Sequence, residues 1–119
     1  TVSKQSLDPR GCPVIGADGE VAGEIVDLWV DRSESNIRYF EASVETPTGT
    51  RNVLVPVPFC NVKRKAGEVH VWALMADQFA EIPAIKSPDS VTRLEEDKIT
   101  GYFGGGTFYA EPGRREPIL

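Results

Sequence analysis

The sequence predicts a mainly β domain that ends in an α-helix. A chain of 119 residues with 40% hydrophobic residues is long enough for one domain with its own core. Residues 13–72 form short segments of alternating apolar and polar side chains between turn signals, which favours a small antiparallel β-barrel or a sandwich. Beyond residue 92 the apolar residues recur at helical spacing. We therefore divide the chain into an N-terminal arm (1–12), a β-barrel (13–80), and a linker, helix and tail (81–119).

The strand region begins with a turn at Asp18-Gly19, which is followed by the first long alternating segment. Regular alternation in this segment places Ile25, Asp27, Trp29 and Asp31 on the outer face and the residues between them on the core face. A second alternating strand, IRYFEASVE, shares that buried face. The predicted core includes Val26, Leu28, Val30, Phe40, Ala42 and Val44. We expect Pro56 and Pro58 at a strand end, an edge or a bulge, because proline cannot donate to a ladder.

Helical signals replace the strand pattern after residue 74. MADQFAEIP predicts one or two helical turns that end before Pro83. The spacing of Thr92 and Glu95 is that of a capping box, which predicts the start of a longer helix. Its predicted apolar stripe comprises Leu94, Lys98 and Tyr102, widened by Ile99 and Phe103. We expect the glycines at 104–106 to end this helix, because glycine tolerates positive φ.

Charge and composition argue against several functional classes. A net charge of −5 and a pI near 4.9 disfavour general affinity for nucleic acid and for anionic membrane surfaces. Cys12 and Cys60 have no metal-ligand spacing, so we interpret them as small, buried thiols, and no metal site is predicted. His70 alternates with two valines, and we interpret it as a strand histidine whose ring has a hydrogen-bond partner. No nucleophile motif is present, so we do not expect an enzyme.

The acidic residues around Trp29 form the most informative local pattern. Asp27 and Asp31 flank this aromatic residue on one face, and Glu34 follows three residues after Asp31. An exposed tryptophan of this kind predicts cover from another element or another protein. Repulsion between neighbouring carboxylates and desolvation by a partner both raise a carboxyl pKa towards neutral pH, where such a group can relay protons. The alternative interpretation is a solvated acidic face, screened by Arg32 and Arg38.

Four segments carry a resemblance to a known family: DPRGCPVIGADGEVAGEIVDLWVDRSE, RYFEASVE, VPFCNVK and FAEIPAIKSPDSVTRLEEDKITGYFGGGTFYAEP. They extend from residue 8 to residue 112, and DLWVDRSE combined with LEEDKITGYFGGGTFYA is the most specific part. On these segments the chain resembles the cytoplasmic domain of the H subunits of purple-bacterial photosynthetic reaction centres, which are PRC-barrel proteins. The resemblance implies a PRC-type β-barrel followed by a capped helix.

The same resemblance implies a function. It suggests a non-catalytic accessory subunit that caps the L and M subunits on the cytoplasmic face of the photosynthetic membrane. Such a subunit stabilises the secondary quinone site and assists proton delivery to it. Carried over from the WVDxxE motif, the proton-transfer residues are Asp31 and Glu34, with Arg38 as the supporting charge. We expect no cofactor on this chain; bacteriochlorophyll, bacteriopheophytin, quinone and non-haem iron are implied in the partner subunits.

Reaction-centre H subunits also have an N-terminal transmembrane helix and a segment before the barrel. We therefore expect the chain to be a soluble fragment of a longer protein that reaches the membrane through that helix and its partners. A second hypothesis is a generic PRC-barrel interaction module, like the one attached to a ribosome maturation factor, without proton transfer. The extension LEEDKITGYFGGGTFYA distinguishes the two, because a bare barrel does not need it.

Overall fold

The computed structural model describes residues 8–31, 33 and 36–108, with side chains up to residue 105. Its strands are β1 (Pro13–Ile15), β2 (Val21–Asp31), β3 (Asn36–Thr46), β4 (Gly49–Pro56), β5 (Cys60–Lys63) and β6 (Glu68–Val71). Two 3-10 helices, Val57–Phe59 and Ala76–Glu81, precede the α-helix α1 (Arg93–Phe108). The predicted class, mainly β with a C-terminal helix, is confirmed.

The strands form one sheet in the order β4-β3-β2-β1-β6-β5, in which only the pair β1–β6 is parallel among the described residues. The edge strands β4 and β5 are consecutive in the chain and joined by Val57–Phe59 alone. Six flat strands would separate these edges by about 24 Å, whereas the connection from Pro56 to Cys60 can span at most about 14 Å. The sheet must therefore curl into a barrel-like shape. Pro56 ends β4 and Pro58 lies in the connection, as predicted.

The core lies inside this curled sheet and continues under α1. Phe40, Ala42 and Val44 on β3 are buried, which confirms that part of the prediction. Tyr39 and Leu54 are also buried although they point to the opposite face from these neighbours, because the chain after the sheet covers that face. The middle of the sheet is therefore packed on both sides.

The predicted faces of β2 are wrong at Ile25 and Val26, and the predicted burial of Val30 is also wrong. Val26 and Val30 are 41% and 53% exposed, whereas Ile25 is buried and Leu28 is only partly buried against the core. The pairing with β3 shifts register between Ile25 and Asp27, so Val26 is an extra residue in the ladder. A bulge of this kind changes the phase of the alternation, which is why regular alternation assigned Val26 instead of Ile25 to the core. Leu28 and Val30 follow the bulge on the predicted side of the strand, opposite Trp29, but that side is only partly covered there.

The segment after β6 crosses back over the sheet. The 3-10 helix Ala76–Glu81, which ends before Pro83 as expected, buries Phe79 and is followed by the buried Ile82. Arg51 on β4 donates from Nη1 to the Ala80 carbonyl at 2.7 Å. These contacts bring residues 82–92 across the outer side of β3 and β4 before α1 begins.

The start of α1 agrees with the predicted capping box. The Thr92 N–H donates to Glu95 Oε1 at 2.9 Å, and the Glu95 N–H donates to Thr92 Oγ1 at 3.1 Å. Of the predicted stripe, Ile99 and Phe103 are buried, but Leu94 is 63% exposed.

The predicted end of α1 is wrong, because the helix continues through the glycines at 104–106 to Phe108. Glycine tolerates left-handed backbone but also adopts helical backbone, at a cost of about 1 kcal/mol relative to alanine. Phe103 stacks on Phe59 with ring centroids 5.4 Å apart and holds the helix against the barrel just before the glycines.

Candidate functional site

The candidate site lies at the C-terminal end of β2, where β3 begins. Asp27, Trp29 and Asp31 follow the bulge at regular alternation and share one face of the strand. A second register shift occurs between Trp29 and Val30, where Arg38 is the extra residue on β3. Bulges redirect side chains, and this one directs Arg38 towards Asp31 and α1.

Asp31 is held by contacts to both of its carboxylate oxygens. Ser33 donates to Oδ1 from its backbone N–H at 2.9 Å and from its hydroxyl at 2.7 Å. Arg38 Nη1 lies 3.5 Å from Asp31 Oδ2. These groups orient the carboxylate at the end of the strand. Glu34, the second predicted proton-transfer residue, lies outside the described residues.

Arg38 connects the barrel to the helix. Its Nη2 lies 3.4 Å from Glu96 Oε2 in the first turn of α1, while Nη1 faces Asp31. The guanidinium carbon also lies 5.9 Å from the centre of the Tyr39 ring. Exposed ion pairs stabilise a fold by at most about 1 kcal/mol, so the main consequence is positional. One cation holds two carboxylates from distant parts of the sequence on either side of it.

A shallow cleft of about 210 Å³ surrounds this ion pair. It is lined by Trp29, Val30, Asp31, Arg38, Tyr39, Asp89, Ser90, Val91 and Glu96. Three carboxylates and one guanidinium give these walls a net negative charge. Burial raises the pKa of Tyr39 above its ordinary value, and the nearby Glu96 carboxylate adds to the effect. Tyr39 therefore stays a neutral phenol at physiological pH.

Trp29 separates this cleft from a second groove of about 350 Å³, which the chain 85–88 borders on its far side. The indole N–H donates to Glu41 Oε1 at 2.8 Å, and the Asn52 amide donates to Glu41 Oε2 at the same distance. Trp29 is thus partly buried and packs against the core. The element that the sequence predicted over this aromatic residue is, in part, the chain's own linker.

Glu96 and Asp89 were missed as members of this cluster. Their acidic character was visible in the sequence. In the chain, however, Glu96 lies 58 residues after Arg38, and Asp89 lies 58 residues after Asp31. Only the packing of the linker and α1 against the sheet brings them there. The run LEED, which includes Glu95 of the capping box, was the available signal for Glu96, and it did not indicate which surface the helix would face.

The other candidate residues have structural roles. His70 Nε2 lies 2.8 Å from Glu68 Oε1, which gives the histidine the partner that its strand position predicted. Burial raises the pKa of the Cys60 thiol to about 12, so the sulfur stays protonated and unreactive. Within the described residues, no three His, Cys, Asp or Glu side chains are grouped to hold a metal ion.

Two further findings concern the helices and the family of the chain. None of the helices in the described part combines the length and apolar character needed to cross a bilayer. A family model, the PRC-barrel domain, matches residues 5–74. The match covers more than half of the chain and includes all of β1–β6, while α1 lies beyond it.

Proposed function

The chain belongs to the PRC-barrel family, and from this premise we propose that it is an accessory, non-catalytic subunit of a purple-bacterial photosynthetic reaction centre. In this proposal it caps the L and M subunits on the cytoplasmic side of the membrane and assists proton delivery to the secondary quinone site. The pigments, quinone and non-haem iron belong to those partners. The resemblance in DLWVDRSE and in the extension that forms α1 supports the proposal beyond the family match.

The observation that carries the proposal is the position of Arg38 between the carboxylates of Asp31 and Glu96. Carboxylates at one cleft can accept a proton and pass it on when their environment brings their pKa values towards neutral pH. A partner that covers the cleft would remove water from the acids and favour their neutral, protonated forms, while the positive charge of Arg38 would favour the charged forms. Ser33 keeps Asp31 oriented throughout, because its two donors do not depend on the partner.

The generic interaction module is the second candidate, and one observation favours it. The family match ends at residue 74, so the barrel alone accounts for it. A module of this kind would bind a protein partner through the same face without moving protons. The acids would then be a solvated rim, and their neutral variants would leave electron-transfer kinetics unchanged.

The experiment replaces Asp31 by Asn and Glu34 by Gln in the assembled complex. Each change keeps the size of the side chain but removes its titratable group. Time-resolved absorbance after paired flashes should show a slower second electron transfer to the secondary quinone, since that step requires a proton. The first charge separation should be unchanged. The double variant should be less than additive if the carboxylates act as one coupled unit.

Glu24→Gln is the matched control, because it makes the same change on an exposed position of β2 outside the cleft. It should leave both flashes unaltered. Normal second-flash kinetics in well-assembled Asp31→Asn and Glu34→Gln complexes would refute proton transfer and leave the interaction module. Failure of the tagged chain to co-purify with bacteriochlorophyll-containing subunits would refute the reaction-centre assignment itself.

A further inference from the structure

The turn between β5 and β6 carries three consecutive basic residues, Lys63, Arg64 and Lys65. All three are exposed. The backbone of the turn is well defined, because the Gly67 N–H donates to the Lys63 carbonyl at 2.8 Å with Gly67 at a φ of 68°. A compact basic tip therefore projects from a chain whose net charge is −5.

These cations have no carboxylate within ion-pair distance in the described part of the chain. Glu68 lies directly across from Lys63 on β6, but its carboxylate is 2.8 Å from His70 Nε2 instead. Asp31 and Glu96 of the candidate site make their ion pairs with Arg38. Three cations against the one neighbouring carboxylate of Glu68 leave the tip with a net positive charge, which is available to an external anion.

The outer face of the hairpin adds an exposed tryptophan to the basic tip. Val69 and Val71 are buried, so the intervening His70 points away from the core. Trp72, just beyond β6, packs one side of its ring on Phe59, with the ring centroids 5.3 Å apart. Lys63 shares that outer side with its cross-strand neighbour Glu68. Trp72 is 55% exposed and lies about 13 Å along the strand from that pair. One flat surface could therefore touch the cations and the indole together.

We propose that this hairpin, residues 60–72, is a contact site for an anionic phospholipid surface. Three long, flexible cations on an exposed turn suit a diffuse plane of headgroup charge, whereas a protein hot spot needs ordered packing around its anchors. An indole ring suits the headgroup region because one end is apolar and the other can donate a hydrogen bond. The net charge argues against general affinity for such a surface, but screening confines each interaction to about 10 Å at 0.1 M salt. The hairpin can therefore bind while the distant acids are screened, which would also orient the domain.

The test uses the 119-residue chain and sucrose-loaded vesicles in co-sedimentation. Vesicles of phosphatidylcholine alone are compared with an equal mixture of phosphatidylcholine and phosphatidylglycerol. Wild-type protein should bind the mixed vesicles and release as the salt concentration rises. Each Lys or Arg near an anionic surface contributes about fivefold to partitioning, so the triple variant Lys63→Gln/Arg64→Gln/Lys65→Gln should bind roughly 100-fold more weakly.

The matched control is Lys86→Gln/Arg93→Gln/Lys98→Gln, which makes the same change in net charge at exposed positions outside the hairpin. It should bind nearly as well as wild type. Equal losses in both triple variants would show that net charge alone matters and would overturn the proposal. Absence of wild-type binding to the anionic vesicles would overturn the proposal as well, even if the hairpin bound an acidic protein instead. Circular dichroism checks that each variant is folded. The outcome is independent of the proposed proton transfer, which the hairpin variants do not touch.

Discussion

Alanine substitution at Gly23 and at Gly101 should change stability in opposite directions. Gly23 lies opposite Val44 where β2 and β3 pair. A Cβ there would overlap the Ser43 carbonyl oxygen and lie 2.9 Å from Val44 Cγ1. A backbone oxygen in a ladder cannot rotate away as a flexible side chain can, so the strands would have to separate. We expect a loss of about 3 kcal/mol, the upper range for overpacked sites.

Gly101 is the matched position, because a Cβ on this exposed residue of α1 would meet no atom within 4 Å. Gly101→Ala should stabilise the protein by about 0.8–1.0 kcal/mol through helix propensity. At an m-value of about 1.5 kcal/mol/M, the urea midpoint should fall by about 2 M for Gly23→Ala and rise by about 0.6 M for Gly101→Ala. Fluorescence and circular dichroism should give coincident transitions. A Gly23→Ala midpoint equal to that of wild type would refute the close approach of β2 and β3.

Two further predictions concern the start of α1. Thr92→Ala removes the hydroxyl that caps the Glu95 N–H and should lower the free energy of unfolding by about 1 kcal/mol. Thr92→Ser keeps a hydroxyl and should retain most of that stability. Thermal unfolding that does not distinguish the alanine variant from wild type would contradict the cap. Hydrogen bonds from the backbone N–H groups of Thr92 and then Lys86 hold the pKa of Glu95 below its ordinary value. The stabilisation by this carboxylate should therefore be complete above its unfolded-state pKa and disappear as the pH falls through the lower folded-state pKa. Urea unfolding between about pH 3 and 7 should show wild type and Glu95→Gln converging in acid, and a stability difference independent of pH would exclude this linkage.

The candidate site was only partly predictable. Asp31 and Arg38 could be identified because they lie on neighbouring strands within a recognisable motif, and the structure places them 3.5 Å apart. Glu96 reaches the same guanidinium from 58 residues away. No local pattern encodes that contact, since it depends on how the linker crosses the sheet and on where α1 packs against it.

The cover over Trp29 also depends on the path of the linker across the sheet. Its exposed position on the strand indicated that something must pack against it, but not what. The linker is part of that cover because Phe79 and Ile82 are buried in the core and fix the path of the chain that follows. Burial of those side chains is a property of the assembled domain.

The sequence by itself determined the features that depend on neighbouring residues: the strand segments, the turn at Gly19, the buried side of Phe40 and Val44, and the capping box of α1. These follow from side-chain alternation, glycine conformation and hydrogen bonds over three residues, all of which act before the fold assembles. Only the tertiary structure decided that Ile25 rather than Val26 faces the core, because a single bulge at Val26 shifts the phase of the strand. It also decided that α1 passes through its glycines: the packing of Phe103 on the barrel outweighs a weak local preference to end the helix.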